Sequence, residues 1–139
     1  MNKQEGFTII ELVIVIAIIS ILTAITLAGV IGYLNNAKDT SIKGNLNTIL
    51  ISSSAYFDLH SNFTDFFTDK QYADPAAQIK KANGEIDVVS SLNSTNKHFC
   101  ACSILKASNG DSYCVDDTGY RKETGNVCSA RCFLGACLD

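Results

Sequence analysis

Apolar side chains fill a nearly unbroken run from Phe7 to about Ile31, and no charged residue occurs across residues 12–34. At about 1.5 Å per residue a helix of that stretch is roughly 34 Å long, enough to cross the hydrocarbon core of a bilayer. Beyond it the pattern becomes two-sided. Leu34, Ala37, Ile42, Leu46, Ile49, Leu50, Ser53 and Phe57 recur at helical spacing, while Asn35, Lys38, Asp39, Lys43 and Asn47 fall on the opposite side. No proline precedes Pro75. One helix is therefore predicted from about Thr8 to Asp58, on the order of 75 Å long, apolar all round in its first half and amphipathic in its second. Gly29, Gly32 and Gly44 each weaken helix propensity by about 1 kcal/mol relative to alanine, and Gly29 and Gly32 mark where the helix could bend or locally melt.

After His60 the rings of Phe63, Phe66, Phe67 and Tyr72 lie in a polar stretch, as expected of residues that cover a small core. The segment Asp74-Pro75 to Gly84 reads as a short helix, with a capping aspartate, proline at the first helical position, lysines in the last turn and a terminating glycine. The period then shortens. Residues 85–89, 99–105 and 112–116 read as strands, with turns at Asn109-Gly110, Thr118-Gly119 and Gly125-Asn126, the first a tight-hairpin signal. The fold class expected is α+β: a long amino-terminal helix packed on a small antiparallel sheet head of three or four strands. Residues 60–139 form that head, residues 7–32 the apolar half of the helix, residues 33–59 the amphipathic half, and residues 1–6 a polar leader.

Composition adds the chemistry of the far end. The formal net charge is only −3, with both signs interspersed, so nothing advertises a polyanion partner. All six cysteines, Cys100, Cys102, Cys114, Cys128, Cys132 and Cys137, fall in the last forty residues. In an oxidising compartment an even, clustered set reads as a disulfide framework for a head too small to stabilise itself. The connectivity stays open, although on a strand Cys100 and Cys102 share a face and each should seek a different partner. Metal binding by these cysteines beside His98 is the alternative, weakened because paired knuckles of zinc-site spacing are missing. Asp116 and Asp117 could hold calcium, but adjacent carboxylates on a strand point apart, which favours a solvated turn. No metal or other cofactor is expected. His60 and His98 lack a recognisable nucleophile motif and no phosphate loop follows a strand, so enzymatic chemistry finds little support. Two sequons, at Asn62 and Asn93, receive no function.

Glu11 is the anomaly in the apolar run. An ionised carboxylate within a membrane span costs a few kcal/mol by insertion scales, so it needs a partner or a task. A cut between Gly6 and Phe7 would create an ammonium one helical turn from Glu11, or within reach of the Glu11 of an adjacent copy. Pairing the two in a low-dielectric setting would select register between otherwise featureless helices. A conventional cleaved signal could be drawn at Thr26-Leu27-Ala28, but the leader balances Lys3 against Glu5, the apolar run is too long, and Glu11 interrupts it.

The stretch from Gly6-Phe7-Thr8-Ile9-Ile10-Glu11 through Leu22 resembles the class III signal of bacterial type IV pilins and of type II secretion pseudopilins, and the likeness covers the first thirty or so residues. The resemblance implies cleavage after Gly6 by a prepilin peptidase, N-methylation of Phe7, and a role for Phe7 and Glu11 in registering subunits during filament assembly. It implies a single-pass precursor in the cytoplasmic membrane, an inner-membrane assembly platform, and a homo-oligomeric helical filament outside the cell. A helix-kinking proline common in that family is absent here, which leaves Gly29 and Gly32 as the bending points. Six cysteines also exceed the single carboxy-terminal pair common among pilins. DNA, a known pilus ligand, has only the scattered Arg121, Lys122 and Arg131 to speak for it. A structural pilus subunit with no enzymatic activity is the function expected. Its rivals are a pseudopilin or minor pilin of a secretion or DNA-uptake system and, from another class, a membrane-anchored cysteine-rich binding domain.

Overall fold

The computed structural model of the chain describes residues 6–108, 110–125 and 127–138. Helix α1 runs Ile9–His60. The chain divides into two compact units, Met1–Leu34 and Asn35–Asp139. In the first unit the side chains described between Gly6 and Leu34 are all exposed, consistent with an apolar helix whose packing partners are lipid or other helices. The helix is long and apolar enough to cross a membrane.

In the second unit α1 buries Asp39, Ile42, Leu46, Ile49, Ser53 and Tyr56, spaced three or four residues apart along one face. The face differs from the expected stripe at its ends. Leu34 and Ala37 are exposed, and Asp39, expected on the wet side, is buried because its carboxylate accepts the backbone N–H groups of Lys106 and Ala107. Lys43 also turns toward the sheet, pairing with Glu123 and lying 6.0 Å from the Tyr113 ring centre.

A short 3-10 turn, Phe66–Thr68, leads into α2, Lys70–Ala82. The aromatic cluster sits there as expected, with Phe63, Phe66 and Tyr72 buried and Phe67 packed against them. Helix α2 starts a turn earlier than expected. Its cap is Asp69, which accepts from Gln71 N at 2.8 Å, and Pro75 lies inside the helix rather than at its first position. Burial explains the shift: Tyr72 and Ile79, seven residues apart, both enter the core, which requires the helix to include Tyr72 despite the proline. The helix ends as expected, with Gly84 at φ 77 and Glu85 N donating to Lys80 O at 2.8 Å.

Four strands form an antiparallel meander in the order β1-β2-β3-β4: Val89–Leu92, Phe99–Ile104, Ser112–Asp116 and Arg121–Thr124. The expected strand at residues 85–89 is displaced, because Glu85 is spent on the end of α2 and Asp87 on an ion pair with Lys80. Leu105 N donates to Asp111 O at 2.8 Å, so β2 and β3 are joined by a longer loop than a two-residue hairpin; Gly110 takes φ 99, and Asn109 lies outside the described residues, as does Asn126. A one-turn helix α3, Cys128–Arg131, and a ribbon of β5, Cys132–Phe133, with β6, Ala136–Cys137, complete the chain.

Strand alternation divides the sheet chemically. Phe99, Ala101, Leu105 and Val115 face α1 and join its apolar core, while Cys100, Cys102 and Cys114 face the other way. Strand β2 is buried at five of its six positions because both faces are covered. Asn83, at the end of α2, donates through Nδ2 to Ser103 Oγ at 3.0 Å and ties that helix to the helix-facing side of β2.

Candidate functional site

The amino-terminal site is built on the first turn of α1. Thr8 precedes the helix and Glu11 stands three residues later, and the two cap each other. Thr8 N donates to Glu11 Oε2 at 2.9 Å, Thr8 Oγ1 donates to the same oxygen at 2.7 Å, and Glu11 N donates to Thr8 Oγ1 at 3.4 Å. This is a capping box, and the Thr8-x-x-Glu11 spacing is its sequence signal. Reading Glu11 only as a buried charge in need of a cation missed it. Before any cut, the carboxylate therefore has an intramolecular partner at the positive end of the helix. Phe7 is 72% exposed, and Gly6 has no heavy atom within 4 Å of where a Cβ would stand.

Further along, the hydroxyls of Ser20, Thr23 and Thr26 donate to the carbonyls of Ile16, Ile19 and Leu22, so these three hydroxyls are satisfied within the helix. Gly29 and Gly32 are helical, with nothing within 4 Å of a Cβ at either.

At the other end, the six cysteines form three disulfides: Cys100–Cys132, Cys102–Cys128 and Cys114–Cys137. Cys100 and Cys102 take different partners, although Cys102 stands directly opposite Cys114 across the β2-β3 ladder. Asp116 is only 3% exposed and is not a solvated turn residue. Its Oδ1 accepts from Thr118 N at 3.0 Å and Thr118 Oγ1 at 2.6 Å, and its Oδ2 accepts from Cys137 N at 3.0 Å. Asp117 accepts from Phe99 N at 3.0 Å and lies 2.8 Å from His98 Nδ1. Both carboxylates thus hold backbone N–H groups, with the Thr118 hydroxyl and the His98 ring as further partners. His60 stacks on Tyr56 with ring centres 4.1 Å apart. Arg131 is buried, which removes one of the three scattered cations from any surface a nucleic acid could touch.

A single long helix, an apolar first half with a capped glutamate, and a disulfide-bonded antiparallel head define a pilin-like α+β protein. Residues 1–27 match the family described as the prokaryotic N-terminal methylation motif. The chain is 34% identical over 71 residues to the type IV major pilin protein PilA of Myxococcus xanthus (strain DK1622), covering 51% of this chain and 32% of that protein. It is 52% identical over 46 residues to the type IV major alpha-pilin of Moraxella bovis and likewise to fimbrial protein Q of the same organism, in each case 33% of this chain and 29% of the relative. The chain thus matches about a third of the length of these relatives. No solved structure matches it. The chain is thus similar to type IV pilins in its amino-terminal part.

Proposed function

We propose that the chain is a structural subunit of a type IV pilus, inserted as a single-pass precursor and polymerised through α1 into a helical filament. The observation that carries this reading is the methylation motif over residues 1–27, which from Ile9 onward lies on α1, where the described apolar side chains are all exposed up to Leu34. Such a surface must be covered by lipid before assembly and by neighbouring copies afterwards. Prepilin peptidase cuts after Gly6, releasing leader 1–6, and the new terminus at Phe7 is methylated; the rest of the chain comprises filament-core segment 7–32, amphipathic segment 33–59 and head 60–139.

Glu11 supplies the registration step. Both of its bonds to Thr8 fall on one carboxylate oxygen, and an ionised carboxylate has about four lone-pair sites, so it keeps capacity for a cation. After the cut, the ammonium of Phe7 on an incoming copy pairs with Glu11 on its neighbour in a low-dielectric bundle, where an unpaired charge is costly. Gly29 and Gly32 are the positions at which the packed helix can loosen, since no side chain there holds it.

Mass spectrometry of material sheared from cells tests the reading. The expected chain begins at N-methylated Phe7 and comes from long filaments made mainly of this subunit. Glu11→Ala should abolish filaments while leaving a cut, membrane-anchored chain. Abundant, correctly localised protein that still begins at Met1, or undiminished filaments from Glu11→Ala, would overturn it. Short or rare assemblies would instead indicate a pseudopilin or minor pilin.

A further inference from the structure

The two covered faces of the sheet are built differently. Toward α1, Phe99, Ala101, Leu105 and Val115 pack with Ile42, Leu46, Ile49 and Tyr56 in a core that contains no cysteine. On the opposite face, Cys100, Cys102 and Cys114 are covered by residues 127–138, and all three disulfides run from the sheet to that segment. The segment acts as a lid fastened at three points.

Among the described residues, few hydrogen bonds fasten it besides the disulfides. The large apolar side chains of the lid, Val127, Phe133, Leu134 and Leu138, are 45% to 58% exposed and leave its underside to sulfur. Its largest buried side chain is Arg131, 1% exposed, whose Nε and Nη1 have no hydrogen-bond partner among the described residues and whose Nη2 reaches only Tyr120 Oη at 3.5 Å. A buried cation so poorly compensated opposes docking. In favour stand the bond from Cys137 N to Asp116 and the close seat of Gly135 against His98 and Asn93.

We propose that residues 127–138 are a redox-released lid: reduction of the three disulfides detaches the segment from the sheet while the helix–sheet core stays folded. Each disulfide takes two electrons and two protons from a dithiol reductant. One reductant thiolate attacks a sulfur to form a mixed disulfide, and the second displaces the protein thiol as the reductant closes into a cyclic disulfide. Three equivalents yield six protein thiols. Release hydrates Arg131 and uncovers Cys100, Cys102 and Cys114. The head is therefore closed in an oxidising compartment and open in a reducing one, with its apolar core common to both states.

Hydrogen exchange on the full chain in detergent micelles, with and without dithiothreitol, tests this. On reduction, peptides from residues 127–138 are expected to lose their protection entirely, and Cys100, Cys102 and Cys114 to become alkylatable. Protection across residues 42–56 and 99–105 should fall by no more than about tenfold, because local opening leaves the most stable unit intact. A chain with all six cysteines changed to alanine should reproduce the pattern without reductant. Loss of protection across residues 42–56 in both samples, or a lid that remains protected once all six thiols are free, would overturn the proposal.

Discussion

Three aspartates decide how the head is held, and each does so by accepting backbone N–H groups, Asp117 meeting the His98 ring as well. Asp39 binds two consecutive amides of the loop after β2, Asp116 closes the β3-β4 turn and catches Cys137, and Asp117 holds the first residue of β2. Hydrophobic periodicity assigned Asp39 to the wet face, because a pattern registers polarity and is blind to amides 67 residues away. Replacing Asp39 by alanine removes two charge-assisted bonds and leaves buried donors unsatisfied, a loss of about 3 kcal/mol. Urea unfolding of the head should show it, and a change below about 0.5 kcal/mol, the scale of an ordinary surface substitution, would contradict this role. Gly135 is the complementary case. At φ 79 it favours glycine, and a Cβ there would overlap the His98 carbonyl and come within 2.8 Å of Asn93 N. Gly135→Ala should therefore weaken the lid's protection against hydrogen exchange while residues 42–56 keep theirs.

The long, strongly periodic element was legible, and the short ones were legible only in part. Helix α1 lies within two residues of its expected bounds because its pattern runs for more than ten turns without proline. Strand β3 matches residues 112–116, whereas β1 begins at Val89, since the Schellman turn ending α2 consumes Glu85. The two-residue strands β5 and β6 are too short to carry any period. The same logic separates the glycines of α1. Gly44 is exposed within the amphipathic half, with nothing within 4 Å of a Cβ, so it meets no packing demand. Gly44→Ala should raise the stability of the head by about 1 kcal/mol through helix propensity alone. An unchanged or lower denaturation midpoint would mean that this stretch of α1 needs the flexibility of glycine.

Across the whole molecule, burial and two nearby aspartates set an alkaline limit. Tyr56 is held above the ordinary tyrosine range by burial and then by Asp65 and Asp69, and Tyr72 is raised mainly by burial. A raised folded-state pKa favours the neutral phenol, so this stability is fully present below the unfolded value of about 10 and is lost as pH rises through the folded value. Tyr56 Oη also donates to Thr64 O at 2.7 Å, a bond that ionisation removes. Thermal melting should therefore fall steeply above about pH 10, and Tyr56→Phe with Tyr72→Phe should flatten that fall; an unaltered slope would assign the loss to other groups. What the sequence determined by itself were the local and one-dimensional features: the apolar span, the Gly6-Phe7 junction, the long helix and the even cysteine count. Each follows from neighbours within one or two turns or from composition. Which cysteines pair, which face of the sheet they occupy, and why Asp39 and Arg131 are buried were decided only by the tertiary structure. Six cysteines permit fifteen pairings, and only the β2-β3 register places three of them on one face beneath a lid that carries the other three.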